Sequence, residues 1–438
     1  MIQLENMEKN NKTYSIKAIL VLIGWIFLLS TASWGQKILI TKAKVHVGDG
    51  TVIEQGLVGI ENGEITLVKN ALTYPVEAAE WDTIIELSNQ HLYPGFFAMN
   101  STLGLTEIDA VRATVDFKEV GEYNPHIRSL IAFNVESRII STVRSNGVLF
   151  AQATPRGGVI SGTSSLMHLD GYNWEDAVVK KDEGIHVNWP KTMQGGGWWA
   201  EPKPKTPNKK YIEEKHALVS FLHAAAAYQE QGSKAVFDPR YEAMKGVFEG
   251  RQRIYFHANE LRQLLDVVSL VQEFKFKFPV IVGGYDSYKI TELLRDGEIP
   301  VMLTRLHRLP DSEDDPMDLV YRLPKLLQDG GVKFCLENAG DMEAMQSRNI
   351  PFLAGTARAY GLTEEQAVQS VTLNAAEIIG VEKKYGSIEV GKKATLFVSK
   401  GDALDMRTHD VTLILVDGKF AAIKHHQHEL YEKYRNKK

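Results

Sequence analysis

The stretch that decides the fold is residues 254–303, IYFHANELRQLLDVVSLVQEFKFKFPVIVGGYDSYKITELLRDGEIPVML. It contains three short apolar runs, at 254–258, 279–282 and 300–303, and two longer amphipathic patterns between them, at 260–274 and 287–295. Short, nearly continuous apolar runs are typical of strands that are buried on both faces, and apolar residues spaced three and four apart are typical of helices. The stretch therefore predicts parallel strands joined by helices.

The same alternation extends from about residue 93 to about residue 381, with further apolar runs at 147–153 and 332–336. So many strand and helix units in one stretch favour a closed barrel over an open sheet. We therefore predict an α/β fold whose main domain, residues 93–381, is a (β/α)8 TIM-like barrel. Active sites of such barrels lie at the C-terminal ends of the strands, so functional residues are expected there.

Both ends of the chain have strand patterns instead. On the N-terminal side these are at 37–47, 57–61, 65–68 and 83–87, and on the C-terminal side at 387–389, 394–399 and 412–416. Such patterns are bounded by turn residues, as strands in small β-domains are. We predict one small β-sandwich module built from both termini, residues 37–92 with 382–423, followed by a polar tail at 424–438.

One long interruption, residues 195–210, is rich in Gly, Pro and Lys. Loops of this length without secondary structure are uncommon in compact domains and are often functional. Two interpretations remain open for it: a mobile loop over the barrel mouth, or a segment whose tryptophans pack on the outside of the barrel.

The N-terminus has the pattern of a secretory signal. Lys9, Lys12 and Lys17 precede an apolar run at 18–29, and Ser33 and Gly35 occupy the −3 and −1 positions of a cleavage site. The apolar run is shorter than the roughly 20 residues that span a bilayer. We therefore predict a signal peptide at 1–35 rather than an uncleaved anchor, and an exported protein, periplasmic or extracellular, with no stable membrane anchor.

Composition excludes several classes of protein. The 438 residues are 44% hydrophobic and 24% charged, which is typical of a globular chain, and the formal charge of −5 argues against a nucleic-acid surface. Cys335 is the only cysteine, so an internal disulfide is excluded.

Four segments together resemble the amidohydrolase superfamily, in particular its imidazolonepropionase-like branch. They are Tyr93-Pro94-Gly95-Phe96-Phe97 and residues 157–171, 372–376 (TLNAA) and 386–394 (GSIEVGKKA). The resemblance covers residues 37 to 423. It implies a barrel hydrolase that cleaves C–N bonds in cyclic amides or small peptides with the help of one or two divalent ions, which make hydroxide from water and polarise the carbonyl.

The resemblance also implies positions for the metal ligands, and most of them are replaced here. Asn100 and Thr102 stand where the family has a His-x-His pair on the first barrel strand. On the fifth strand His257 is retained and Asn259 replaces the second histidine. The sixth-strand histidine and the final aspartate correspond to Gly283 and Ala339. Amide and hydroxyl groups are poor substitutes for imidazoles around a zinc-like ion.

These replacements favour a protein that has lost the metal site and carries no cofactor. We predict that it binds either a small-molecule ligand or a related protein subunit, and an oligomer is compatible with both interpretations. The alternative is an active amidohydrolase, with a divalent metal such as zinc in a site rebuilt around His257, Asn259, Glu337 and Asp341.

Overall fold

A computed structural model describes residues 36–198, 201–232 and 236–437. The signal peptide predicted at 1–35 lies outside the described residues. The β-strands are β1 Ile38–His46, β2 Val52–Glu61, β3 Glu64–Asn70, β4 Thr83–Glu86, β5 His91–Pro94, β6 Phe96–Ser101, β7 Val148–Ala153, β8 Ile160–His168, β9 Val178–Asn188, β10 Met193–Trp198, β11 Glu201–Pro207, β12 Arg253–Ala258, β13 Pro279–Gly283, β14 Val301–Leu303, β15 Phe334–Leu336, β16 Leu396–Ser399, β17 Val411–Val416 and β18 Lys419–Phe420.

The α-helices are α1 Arg138–Arg144, α2 Trp174–Ala177, α3 Tyr211–Gln231, α4 Pro239–Phe248, α5 Leu261–Phe274, α6 Thr291–Asp296, α7 Leu319–Asp329, α8 Glu343–Gln346, α9 Ile350–Ala359, α10 Glu364–Val371, α11 Leu373–Ile379 and α12 His426–Tyr434. The helix predicted at 260–274 is α5, which begins with a capping box between Glu260 and Gln263. The helix predicted at 287–295 is divided into a 3₁₀ turn, Ser287–Lys289, and α6.

Strands from both ends of the chain pair in one sheet. In the described part of the chain this sheet has eight strands in the order β18-β17-β16-β5-β1-β2-β3, with β4 also beside β1. β16 pairs antiparallel with β5, from Leu396 opposite Pro94 to Ser399 opposite His91. The sheet therefore joins segments that are about three hundred residues apart in the chain.

This sheet curls around a core of its own, which includes Ile38, Ile60 and Leu415. The turn between β2 and β3 contacts the segment that precedes β16, where the Ala394 N–H donates to the Gly63 carbonyl at 2.9 Å. We expected a sandwich of two sheets, but a single curved sheet encloses the core. Residues 387–389 do not form the predicted strand. Ile388 nonetheless lies in this core, and its N–H donates to the Val47 carbonyl at 2.8 Å.

The barrel sheet runs in the order β15-β14-β13-β12-β9-β8-β7-β6 among the described residues. A parallel bridge between Met99 and Glu337 links its first and last strands, so the barrel is nearly closed. The barrel-like α/β prediction is confirmed, but one detail of it was wrong. β8 is antiparallel to both β7 and β9, because the short connection 154–159, with Gly157 and Gly158 at positive φ, leaves no length for a crossover helix.

Aromatic packing joins the curved sheet to the barrel. The Phe397 ring stacks on Tyr93 with centroids 5.3 Å apart and meets Phe96 edge-on at 4.9 Å. Gly147, which precedes β7, lies so close that an added Cβ would be 2.6 Å from the Phe397 ring. Glycine is required there because any side chain would displace this ring.

The Gly-, Pro- and Lys-rich stretch is a β-hairpin rather than an irregular loop. β10 and β11 pair antiparallel, with Met193 opposite Pro207. The base of the hairpin is closed by the Asn208 side chain, which donates to the Lys191 carbonyl at 2.9 Å. The hairpin follows β9 closely in the chain, since β9 ends at Asn188 and β10 begins at Met193.

Candidate functional site

A cavity of about 300 Å³ lies at the C-terminal ends of the barrel strands. The residues that follow or end four of these strands contribute to its wall: Asn100 from β6, His257 from β12, Gly283 from β13 and Glu337 just after β15. We call this cavity the barrel-mouth site. Trp189 and Lys191, which precede the β10–β11 hairpin, line its rim.

Asn100 and Glu337 are joined in the floor of the barrel-mouth site. The backbone of Asn100 is left-handed, with φ of 49°, and its side-chain Nδ2 donates to Glu337 Oε2 at 3.1 Å. The Ala339 N–H donates to the same oxygen at 2.7 Å. Burial raises the pKa of Glu337 to about 7, and the nearby Glu343 carboxylate adds to this rise. Glu337 is therefore a carboxyl group that exchanges its proton near neutral pH.

Arg156 provides the positive charge of the site. Its Nη2 donates to the Asn100 carbonyl at 2.7 Å and to Glu343 Oε1 at 2.8 Å. The Arg156 charge lowers the pKa of Glu337 and so opposes the effect of burial. A fixed guanidinium beside two carboxyl groups keeps the local charge close to neutral.

A hydrogen-bonded chain runs from His257 into the barrel interior. His257 Nε2 lies 2.9 Å from His186 Nδ1, His186 Nε2 lies 2.8 Å from Ser164 Oγ, and Ser164 Oγ lies 2.5 Å from Glu183 Oε1. Tyr255 also donates to Glu183, at 2.7 Å. Burial lowers the pKa of His257 to about 3 and that of His186 well below its usual range, so both imidazoles are neutral at pH 7.

The direction of the hydrogen bonds in this chain determines what His257 offers to the cavity. Ser164 donates to the Glu183 carboxylate, so His186 Nε2 must donate to Ser164 and His186 Nδ1 must accept. His257 Nε2 therefore carries the proton and donates to His186. The other ring nitrogen of His257, Nδ1, is left as a hydrogen-bond acceptor.

Two further acceptors lie in the same wall. In the described part of the chain, the buried oxygens Asn100 Oδ1 and Asn259 Oδ1 have no hydrogen-bond partner. Buried polar atoms without partners are rare in folded proteins, and each costs about 1–3 kcal/mol. The barrel-mouth site therefore presents acceptors that a bound donor would satisfy, and among the described residues the buried Arg156 Nη1 beside it is a donor without a partner.

The residues of the barrel-mouth site do not fit a divalent metal ion of the kind that the family resemblance implies. His257 Nε2 is bonded to His186, Glu337 Oε2 accepts two hydrogen bonds, and Arg156 adds a positive charge. Among the described residues, the three-residue group with donor atoms within 4.8 Å of one another lies elsewhere, between β1 and α10. No chemical step at the barrel mouth is therefore assigned to a metal.

The structure brings together most of the site residues predicted from the sequence. The predicted positions that line the cavity are Asn100, His257, Asn259, Gly283, Glu337 and Ala339. Thr102 and Asp341 are not among the described residues of the cavity wall. Thr102 is buried, and Asp341 is exposed, with its backbone carbonyl near Arg305.

Sequence reasoning missed Arg156, Glu183 and His186. Glu183 and His186 lie in the C-terminal half of β9, where a buried strand carries two ionisable residues three positions apart, and that is a usable signal. Arg156 gave no comparable signal, because its role arises from contacts with Asn100 and Glu343, which are distant in the chain.

A larger cavity, about 1040 Å³, lies at the opposite end of the barrel, where strands β12 to β14 begin. Lys180 and Arg253 line it, and Lys180 Nζ donates to the Ile379 carbonyl at 2.8 Å at the end of α11. Cations at a helix C-terminus satisfy its free carbonyls and stabilise the helix. This end of a barrel normally serves stability, so we assign the functional site to the barrel mouth.

Comparison with known proteins agrees with the family resemblance. The amidohydrolase family model matches residues 264–423. An imidazolonepropionase from Pseudomonas fluorescens is 33% identical over 102 residues, which are 22% of this chain and 23% of that protein. The chain thus aligns with less than a quarter of the length of this curated relative.

Solved structures share the fold. An amidohydrolase from Thermotoga maritima superposes with a TM-score of 0.75 at 24% identity, covering 88% of this chain and 99% of that one. The ochratoxinase of A. niger superposes with a TM-score of 0.54 at 13% identity, covering 89% and 96%. Among the described residues, no helix is long and apolar enough to cross a membrane.

Proposed function

We propose that this chain is an exported, non-hydrolytic member of the amidohydrolase superfamily that binds a small, uncharged ligand at the barrel mouth; the family-model match, the imidazolonepropionase similarity and the shared fold support the family. One observation carries the proposal: the cavity wall has buried hydrogen-bond acceptors without partners. Metal-dependent hydrolysis would need several metal-binding side chains there, and among the described residues the group of that kind lies elsewhere. Acceptors at Asn100 Oδ1, Asn259 Oδ1 and His257 Nδ1 select a ligand with N–H or O–H donors.

The charges of the site favour a neutral ligand. Arg156 is already bonded to Glu343, and Glu337 has a pKa of about 7, so the inner wall holds no permanent anion and its cation is already paired, while Lys191 lies at the rim. A charged ligand would lose its hydration without gaining an opposite charge. A volume of about 300 Å³ is at the small end of ligand pockets and suits a single small ring. A cyclic amide or urea has the required size, neutrality and N–H donors.

Binding tests the proposal most directly. Hydantoin and succinimide are matched probes, because each carries an N–H donor and has an N-methylated counterpart of nearly the same shape. Calorimetry and thermal shift on the mature chain should detect the N–H forms and lose at least tenfold in affinity with the methylated ones. The variant Asn259→Leu should weaken binding in the same way, while Asn173→Ala, in the cap of α2, should not.

Equal binding of N–H and N-methylated probes would overturn the proposed ligand class. Failure of every N–H probe to bind, with the fold intact by circular dichroism, would count against a small-molecule role. N-terminal sequencing of exported material tests the localisation separately. It should begin near Gln36, and an intact Met1 would contradict cleavage.

One observation favours the alternative of an active hydrolase. Glu337 has a pKa of about 7 and shares a cavity with His257, and such a carboxyl group is suited to proton transfer. Under this alternative, water hydrolyses a ring amide bond of hydantoin to give a ureido acid, and the rate of this reaction depends on Glu337. Product formed by the parent chain with added zinc, and not by Glu337→Gln, would replace the binding proposal with the hydrolytic one.

A further inference from the structure

A second cluster of ionisable side chains lies outside the barrel-mouth site, where the curved sheet meets the barrel helices. It consists of His46 at the end of β1, His91 at the start of β5, and Glu364 and Glu365 in the first turn of α10. We call it the junction cluster. One donor atom each from His46, Glu364 and Glu365 lies within 4.8 Å of the others.

His46 is the centre of the junction cluster. It is fully buried, and its ring stacks on Tyr93 with centroids 4.2 Å apart. Its Nδ1 lies 2.7 Å from Glu365 Oε1 and its Nε2 lies 2.9 Å from His91 Nδ1. A histidine that binds a metal through one nitrogen usually donates its other N–H to a fixed partner, and His91 is placed as that partner.

Glu365 has an oxygen that the protein leaves unsatisfied. In the described part of the chain, Glu365 Oε2 is buried and accepts no hydrogen bond, although Oε1 of the same carboxylate is bonded to His46. A buried carboxylate oxygen without a donor is costly, and each such atom requires an explanation. A bound cation supplies one.

The surrounding charges also leave room for a cation. The ion pairs among the described residues around the cluster involve four carboxylates, Glu54, Glu364, Glu365 and Asp402, and two cations, Lys44 and Arg358. Lys44 and Arg358 each lie 3.7 Å from Glu364, beyond hydrogen-bonding distance, and Arg358 is held at 2.6 Å by Asp402. The four carboxylates outnumber the two cations by two, which is the charge that a divalent ion neutralises.

Carboxylates in the first turn of a helix have an ordinary explanation, because the helix dipole favours negative charge there. That explanation accounts for Glu364 and Glu365 in α10. It does not account for the buried His46 imidazole, which contacts both Glu365 and the half-buried His91, or for the unsatisfied Glu365 Oε2.

We propose that His46, Glu364 and Glu365 bind a divalent transition ion of the zinc class, with His91 orienting the His46 ring. One nitrogen, two carboxylate oxygens and a water make a donor set that zinc accepts. The ion takes the place of the proton between His46 Nδ1 and Glu365 Oε1. It ties the last residue of β1 to α10 and is therefore a structural clamp between sheet and barrel, independent of the ligand proposed at the barrel mouth.

The test uses zinc and cobalt as probes on the mature chain. The tail histidines His425, His426 and His428 are first changed to Asn, because they would bind zinc on their own. Equilibrium dialysis of this parent should give one zinc per chain, and cobalt should give the visible absorption of a low-symmetry N/O site. Zinc should also raise the melting temperature of the parent.

Glu365→Gln and Glu364→Gln should each lower zinc affinity at least tenfold and abolish the thermal shift. Glu364 is partly exposed, so its variant is expected to fold even where Glu365→Gln does not. Glu337→Gln, at the barrel mouth, is the matched control and should leave zinc binding unchanged. Absence of zinc binding in the parent, or binding that Glu337→Gln removes and the α10 variants keep, would overturn the junction site.

Discussion

At the scale of single residues, Glu337 should make stability fall as pH rises. Its folded-state pKa of about 7 lies above its ordinary value of 4.5, so the folded state binds the proton more tightly. The stabilisation is complete below about pH 4.5 and is lost as pH approaches about 7, by roughly 3 kcal/mol at about 1.4 kcal/mol per pH unit. Glu337→Gln, which mimics the protonated form, should remove this loss in urea unfolding at about pH 5 and about pH 8.

The matched control for that experiment is Glu313→Gln, at an exposed position, which should keep the pH dependence of the parent. An unchanged pH dependence in Glu337→Gln would show that Glu337 does not titrate near neutrality in the folded state.

His257 should act in the opposite direction and at lower pH. Burial lowers its pKa from 6.5 to about 3, so the unfolded chain binds the proton more tightly. The stability due to neutral His257 is present above about pH 6.5 and is lost as pH falls towards about 3. The loss is roughly 2 to 4 kcal/mol, because water in the adjacent cavity reduces the full effect. His257→Gln should unfold less readily in acid than the parent, measured as the midpoint of acid unfolding; an identical midpoint would contradict a buried neutral His257.

The sequence located the site residues at strand ends but not the bonds between them. Asn100, His257 and Glu337 were identified from the amidohydrolase resemblance, which aligns their segments with the ligand-bearing segments of that family, and each directly follows or ends an apolar run. The hydrogen-bonded chain from His257 through His186, and the guanidinium of Arg156, depend on contacts between residues 56 to 187 positions apart. Such contacts follow from the closed barrel and leave no local pattern in the sequence.

At the scale of elements, the C-terminal end of β13 should not accept a side chain. Gly283 has φ of +97°, and a Cβ there would lie 2.4 Å from Asn259 Oδ1. Gly283→Ala is therefore expected to lower the free energy of unfolding by about 1–3 kcal/mol from backbone strain, and by more from the contact. The family's histidine at this position would meet the same obstacle.

Gly391 offers a matched comparison, because its φ is +90° and nothing lies within 4 Å of an added Cβ. Gly391→Ala should show the strain alone, so the difference between the two variants in urea unfolding measures the Asn259 contact. Equal effects at both positions would show that Asn259 moves aside freely.

Secondary structure was predictable where periodicity is local and failed where pairing is long-range. The continuous apolar runs gave β12 and β13 to within one residue, because a strand buried on both faces must be apolar throughout. The direction of β8 was not predictable from its composition, since strand direction depends on the length of the connection from β7. Ile388 was apolar enough for a strand but enters the core from a loop.

At the scale of the whole molecule, we expect the barrel and the curved sheet to depend on each other for folding, so that loss of one unfolds the other. A chain that ends at residue 381 lacks β16 to β18, which leaves β5 paired only with β1, removes Leu415 and opens the core that contains Ile38. Exposed strand edges and apolar surface promote aggregation. We expect this truncation to be insoluble or unfolded by circular dichroism.

Removal of residues 424–438 is the control, because α12 has no buried residues. That chain should keep the melting temperature of the full-length mature protein to within a few degrees. A soluble, cooperatively folding chain that ends at residue 381 would show that the barrel is independent of the sheet.

The pairing of β5 with β16 sets an order of assembly during synthesis. A ribosome releases the N-terminal strands first, and β5 then waits for its neighbour until roughly three hundred further residues have appeared. Through that interval the nascent chain carries an open strand edge, which holdase chaperones bind. Completion of the sheet therefore requires the C-terminal strands, and a chain cut short within the barrel keeps one edge of β5 open.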